Sequence, residues 1–326
     1  MNYLFNKVIV TGGAGFIGSH IVDYIVNHRL SAKVVVIDNL SSGSLNNISS
    51  HIGQEYFEFI NADLKKFDEL WTRSFREADL VIHMAANPEV RLSVVNPEIH
   101  FNENILATFN VLEASRIYDV KIGVFASSST VYGDAKIIPT PEDYHPLEPI
   151  SVYGGAKLCA EVLYITYSKL YGLKSLILRY ANIIGPRSNH GVIIDFINKL
   201  KKDPTKLEIL GDGTQRKSYL HVYDAVDATM FLTTKLYGAL KDYEIFNVGN
   251  EDWITVKEIA DIVVEEMNLK NVEYIYKLTT RDGRGWPGDV KLMLLDIRKL
   301  KSLGWTPSMT SAQAVRKTVR QILGKE

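Results

Sequence analysis

The stretch from Lys7 to Asp38 constrains the fold more than any other part of the chain. The apolar run Lys7-Val-Ile-Val-Thr11 ends in Gly12-Gly-Ala-Gly-Phe-Ile-Gly18, and Ile17, Ile21 and Ile25 then recur at helical spacing. A second apolar run, Lys33-Val-Val-Val-Ile-Asp38, follows. Short β-branched runs without polar alternation are strands covered on both faces, so the segment reads strand, helix, strand. The turn satisfies Gly13-x-Gly15-x-x-Gly18 and also Gly12-x-x-Gly15-x-x-Gly18. Such spacing allows a tight turn, a close backbone approach to a pyrophosphate, and a helix N-terminus aimed at that charge. Glycine turns occur in many folds, but here Asp38 closes the second strand twenty residues after Gly18. A carboxylate there suits a ribose 2′-hydroxyl and repels a 2′-phosphate, which favours NAD over NADP. The competing reading is that Asp38 caps the loop Asn39-Leu-Ser-Ser-Gly43. Asp63-Leu64, after the third strand, is open in the same way between an adenine contact and a helix cap.

The alternation continues with strands near Tyr56–Ile60, Asp79–Met84, Val120–Ser127 and Lys174–Tyr180, and helices near Pro97–Tyr118 and Val152–Tyr171. This predicts an α/β fold, a doubly wound parallel sheet of Rossmann type over residues 1–181. After Asn182 the rhythm breaks: Pro186 and Pro204 punctuate shorter elements, with helices near Val192–Lys201 and Thr255–Met267. A smaller C-terminal α/β substrate lobe over 182–326 is expected, with some segments returning to pack on the first. Lys plus Arg number 37 against 38 Asp plus Glu, which gives no electrostatic case for nucleic acid or an anionic membrane as partner. No apolar run approaches the roughly 18 residues of a membrane span. The single cysteine, Cys159, cannot form an internal disulfide, which fits a reducing cytoplasm, and it reads as a packing residue rather than a nucleophile.

Tyr153-Gly-Gly-Ala-Lys157 carries the chemistry. Residues four apart share a helix face, so phenol and ammonium project together. A free phenol has a pKa of about 10, and a nearby positive charge favours its phenolate. Beside a nicotinamide, the pair can move a proton at a hydroxyl while hydride leaves the same carbon. Ser127-Ser-Ser-Thr130 adds hydroxyls at a strand end. His83 and His221 lack Cys or carboxylate companions, so both read as structural residues and no metal site is expected.

With Gly12 to Gly18, Asp38, His83-Met-Ala-Ala86, Ser127 to Gly133, and Tyr153 to Lys157 in order, the chain resembles an extended short-chain dehydrogenase/reductase. The likeness runs nearly end to end, through Leu178-Arg-Tyr-Ala-Asn182, Gly211-Asp-Gly-Thr-Gln-Arg216, Tyr219-Leu-His-Val222 and Gly285-Trp-Pro-Gly-Asp289. Within that superfamily it is most similar to UDP-galactose 4-epimerases of archaeal type. The resemblance implies a tightly held NAD, a UDP-hexose substrate and a homodimer paired through two helices of each copy. Those helices carry the stripes Ile105, Phe109, Leu112 and Leu158, Val162, Ile165, whose default explanation is a core face. By position, Tyr153 matches the proton acceptor, Lys157 its partner on the nicotinamide ribose, and Ser128 a hydroxyl on the reacting sugar oxygen. The implied cofactor site comprises Gly12, Gly15, Phe16, Ile17, Gly18, Asp38, Asn39, Ser42, Gly43, Asp63, Leu64, Ala85, Asn104 and Tyr180, with Tyr153 and Lys157. Asn182 and Arg216 match contacts to the nucleotide phosphates, and Asp289 lies near the uridine ribose.

Two departures stand out. A Lys common after the His-x-Ala segment is missing, leaving Arg91 as either an anion contact or a solvated side chain. The usual Arg before Pro-Gly-Asp is replaced around Trp286, leaving Arg284, ahead of Arg281, as the diphosphate clamp. Dehydration needs an acid and a base; in the related nucleotide-sugar dehydratases these are carboxyl groups in the Ser/Thr segment, where this chain has Ser129 and Thr130, and the related decarboxylases carry Glu in place of Thr130. The expectation is a C4 epimerase of UDP-glucose and UDP-galactose. UDP-glucuronate, suggested by Val90-Arg-Leu-Ser93, and UDP-N-acetylhexosamine stay open, since Met293 at the gate position decides little. A non-catalytic NAD-binding regulator is the reading from another class.

Overall fold

The computed structural model describes residues 3–326. Its main sheet is built from β1 (Phe5–Thr11), β2 (Ser31–Asp38), β3 (Phe57–Asn61), β4 (Leu80–His83), β5 (Ile122–Ser128), β6 (Lys174–Tyr180) and β7 (Tyr243–Val248), in the order β7-β6-β5-β4-β1-β2-β3. β1 pairs in parallel with both β2 and β4, so the strand order reverses between β1 and β4. In a doubly wound sheet that reversal opens a crevice at the C-terminal strand ends, where ligands bind. The strands are apolar on both faces because helices cover both: Val8, Ile9, Val10, Val34, Val35, Val36 and Ile37 are all buried. Longer helices of this half are α1 (Phe16–Asn27), α2 (Ala107–Ile117), α3 (Val152–Tyr171) and α4 (Val222–Leu236). One core cluster joins Trp71, Phe75, Phe125 and Tyr164 to Val111, Leu112 and Ile177. Phe125 stacks on Tyr164 with centroids 4.8 Å apart.

The expected single helix over 97–118 is broken. Glu98–His100 is α-helical, Phe101–Leu106 winds as a π-helix, and α2 follows. Single π turns inside α-helices are frequent at functional sites.

The chain forms two compact units: residues to Val131 with Val152–Arg179 and Val226–Phe246, and Tyr132–Ser151 with Tyr180–Ala225 and Asn247–Glu326. A single cut near 181 therefore misplaces one segment. Residues 132–151 go with the second unit because the Tyr132 hydroxyl donates to Asn247, 2.8 Å away, and Thr140 N–H donates to Leu294 O at 2.9 Å. Residues 226–246 return to the first unit, carrying most of α4 and the seventh strand.

The second unit packs the helices Val192–Lys202, Val256–Glu266 and Ser311–Ile322 around Phe196, Leu207, Ile259, Val263 and Val315. Two of these helices begin with capping boxes, Thr255 with Glu258 and Thr310 with Gln313. Each satisfies orphan amides at a point where the chain must turn into a helix. The short strand Arg216–Lys217 pairs with Ile254–Thr255 on one side and Leu292–Met293 on the other.

Candidate active site

The glycine turn lies at the C-terminal end of β1. Gly12 has φ of +69°, and a Cβ there would stand 2.6 Å from Ala85 N, so the backbones after β1 and β4 nearly touch. A Cβ on Gly18 would stand 2.2 Å from Gly12 O, which lets α1 start directly against the turn. The first turn of α1 has no side-chain cap and no acidic residue, leaving its amides for an anion.

Asp38 is buried at the end of β2, with Oδ2 accepting from Ala14 N at 3.0 Å and Oδ1 from Leu40 N at 2.8 Å. Burial raises its carboxyl, opposed by amides of Leu40, Ala14 and Gly15. It therefore does cap its loop, and the cap is what ties the loop to the glycine turn. Gly43 lies against Ala14 in that loop, while Asn39 and Ser42 are exposed beyond it. Asp63 Oδ1 accepts from Lys65 N at 3.0 Å, capping its own turn, and the Leu64 side chain belongs to the core. Asn104 is buried with its amide engaged: Oδ1 accepts from Asn87 N at 2.7 Å and Nδ2 donates to Asn87 O at 3.1 Å. Its visible role is to hold the loop after β4.

Ser128, Tyr153 and Lys157 come together in the first unit. α3 begins where Tyr153 N–H donates to Ser93 Oγ at 3.1 Å. The Ser128 Oγ accepts from Thr130 N at 3.2 Å and from Thr130 Oγ1 at 3.0 Å. With both lone pairs engaged, its remaining capacity is its own proton, which it directs at the Tyr153 phenol, favouring the phenolate. Thr130 is thus part of the site, a role its sequence position does not disclose.

Lys157 is 4 % exposed; its Nζ donates to Ala126 O at 2.7 Å and lies 5.0 Å above the Phe125 ring and 5.9 Å from the Tyr153 ring. The expected fall in the phenol pKa is not what the free chain shows. Burial pushes Tyr153 up to about 12 despite Ser128, and burial pulls Lys157 down to about 7, against the pull of Glu161. Desolvation disfavours both charged forms, and in the free chain it is the largest influence on each.

One turn further along α3, Glu161 is 1 % exposed and binds Arg179 through Nε–Oε1 at 2.9 Å and Nη2–Oε2 at 2.7 Å. Ser127 Oγ donates to the same carboxylate. Cys159 is exposed on the other face of α3, so it does not serve as a packing residue. Val162, 53 % exposed, and Phe109, 41 %, also face outward, whereas Leu112 is fully buried; the two stripes are only partly core.

His83 is structural: buried, with Nδ1 2.6 Å from Thr11 Oγ1 and Nε2 3.0 Å from Thr108 Oγ1, and held down to about 3 by burial. His221 is buried beside Gln321, its Nε2 2.9 Å from Oε1. Arg91 is a surface side chain paired with Glu89 at 3.7 Å.

In the second unit, adjacent strand residues point to opposite faces. Arg216 turns outward, its guanidinium 5.8 Å from the Trp253 ring. Lys217 turns to the other side, where its Nζ meets buried Asp289 at 2.5 Å and lies 5.4 Å from the Trp286 ring. The cation set beside Asp289 is Lys217. Met293 follows on the neighbouring strand, paired with Lys217 and buried. Arg284 donates to both oxygens of Asp134 at 2.9 and 2.8 Å and to Asp289 O at 2.7 Å, so carboxylates already occupy it. Arg281 is exposed. The Asn182 amide donates to Ser218 O at 3.2 Å, and Tyr180 is buried at the end of β6.

The model of the NAD dependent epimerase/dehydratase family matches residues 8–249. The chain belongs to that family. A Methanocaldococcus jannaschii protein provisionally named a UDP-glucose 4-epimerase is 38% identical over 318 residues, covering 96% of this chain and 97% of that one. A solved UDP-galactose 4-epimerase structure is 48% identical with a TM-score of 0.86, covering 98% of this chain and 99% of that one. Thermus thermophilus UDP-glucose 4-epimerase, solved in complex with NAD, is 33% identical with a TM-score of 0.84, covering 98% and 100%. NAD is the family's cofactor, and the first unit fits it: Gly12 and Gly18 let the turn pack tightly against Ala85 and the start of α1, α1 begins without a side-chain cap, and Asp38 closes the cradle.

Proposed function

We propose that this epimerase/dehydratase family member inverts C4 of a UDP-hexose, interconverting UDP-glucose and UDP-galactose through a transient 4-keto sugar. The observation that carries the reading is the cluster of Tyr153, Ser128 and Lys157, with hydroxyls and no carboxylate at positions 129 and 130. Elimination of water or carbon dioxide calls for an acid or base there; oxidation followed by reduction does not. NAD, when bound, supplies the hydride acceptor and, oxidised, a positive ring charge. The Tyr153 phenolate takes the proton of the sugar 4-hydroxyl as the C4 hydrogen departs as hydride, forming the C4 carbonyl. With the sugar bound, Ser128 turns its one proton from the Tyr153 phenol to the same oxygen and holds it in line with Tyr153. Lys157, charged below about pH 7 in the free chain, adds the positive field that a phenolate requires. Tyr153 returns its proton to O4 after hydride has come back to the opposite face of the turned sugar.

Asn182, Lys217 and Asp289, with Arg284 once released from Asp134, are the residues we assign to the uridine diphosphate; their charge and donor geometry suit phosphate and ribose oxygens. The outward Phe109, Ile117, Val162 and Leu170 on α2 and α3 support a homodimer, and the single cysteine, Cys159, suits a reducing cytoplasm. The test is to incubate the purified protein and NAD with each member of the UDP-glucose, UDP-N-acetylglucosamine and UDP-glucuronate pairs. Conversion of the hexose pair fastest is expected. Preference for another pair corrects the substrate, and no interconversion of any pair refutes the reading.

A further inference from the structure

His100 is fully buried, and its two ring nitrogens have different surroundings. Nδ1 lies 3.3 Å from Asn104 Nδ2, whose orientation is fixed because the other amide atom accepts from Asn87 N–H. An amide NH2 only donates, so Nδ1 is the acceptor and the ring proton sits on Nε2. Nε2 has no hydrogen-bond partner among the described residues. The ring of Tyr153 lies 5.6 Å from that of His100 between centroids, with 72° between planes, a T-shaped contact.

We propose that His100 is a positioning residue for Tyr153: its Nε2–H edge rests on the face of the phenol ring and stabilises the phenolate. The inference rests on the reading of Tyr153 as the base. An N–H edge on a neutral ring is a weak contact. A phenolate spreads negative charge into its ring, so the same contact strengthens as the proton leaves. The imidazole must stay neutral to keep this geometry. Burial and the Lys157 charge both hold it neutral, against Glu103 on its own helix and Glu89 in the loop after β4. Asn104, four residues on and within the π-helical turn at 101–106, sets its amide against Nδ1, which fixes the tautomer.

The test compares His100→Phe, which keeps an aromatic edge but no N–H, with His100→Gln, which keeps an N–H. In the NAD-bound protein, the Tyr153 phenolate is titrated as the ultraviolet difference between each chain and its Tyr153→Phe counterpart. In His100→Phe the midpoint should rise by about half a pH unit and kcat should fall about threefold, with KM unchanged. His100→Gln should recover most of both. An unmoved midpoint in a folded His100→Phe chain overturns the proposal. So does ¹⁵N NMR of the unmodified chain, needing no variant, if it finds the ring proton on Nδ1. Absence of sugar turnover in the unmodified chain would count against the epimerase reading alone, because titration and NMR read the contact directly.

Discussion

Replacing Glu161 with Gln isolates the most buried ion pair of the first unit. The carboxylate accepts from Arg179 at 2.9, 3.3 and 2.7 Å and also from Ser127, with the two side chains 1 % and 3 % exposed. Glutamine keeps one acceptor oxygen but turns an NH2 donor toward a guanidinium that is itself all donors. Arg179 is left charged, desolvated and half-bonded, a loss of about 3–5 kcal/mol. Lys157, four residues earlier, loses the one group that favours its charged form. The assay is urea unfolding followed by far-ultraviolet circular dichroism on the NAD-free chain, since a ligand bound only to the folded state would mask the change. Replacing both partners, Glu161→Gln with Arg179→Met, removes the stranded charge and should recover at least half of the loss. A single variant costing less than about 1 kcal/mol, or a double variant no better than the single, would refute the reasoning.

Two further outcomes follow from the site. Lys217→Met should raise KM for the UDP-sugar about tenfold with little change in kcat, while Arg216→Met changes KM less than twofold; equal effects would mean the two faces of that strand are misassigned. Lys157 sits at about 7 against an ordinary 10.5, so between those values the unfolded chain holds a proton that the folded chain lacks. Stability of the NAD-free chain should therefore rise with pH across that window, and Lys157→Met should flatten the rise in pH-dependent unfolding. Beyond that window the sign reverses, because Tyr153 is raised to about 12 and its contribution is lost as pH climbs through that value.

Much of the first unit was legible from local pattern. The runs at Lys7–Thr11 and Lys33–Asp38 are apolar on both faces because helices cover both, and Gly12 and Gly18 mark close approaches that any side chain would block. Tyr153 and Lys157 lie on one helix, so their spacing alone brings them together. Less legible was anything set by partners distant in sequence. Arg284 is held by Asp134, 150 residues away, and residues 132–151 join the second unit through Asn247 and Leu294. The pairing of Lys217 with Asp289 leaves no local mark for the same reason, its two partners being 72 residues apart. The π-helical turn at Phe101–Leu106 leaves no mark in a helical apolar stripe, so His100 could not be placed beside Tyr153. The phenol's raised pKa reflects burial, which spacing does not report.

The central claim is that the C4 hydrogen leaves and returns within one encounter while Tyr153 holds the hydroxyl proton. Converting UDP-glucose carrying deuterium at C4, with NAD and in ordinary water, tests it most directly. The account predicts UDP-galactose with the deuterium still on C4, and no conversion by the Tyr153→Phe chain. Deuterium lost to water, or conversion undiminished without the Tyr153 hydroxyl, would contradict it.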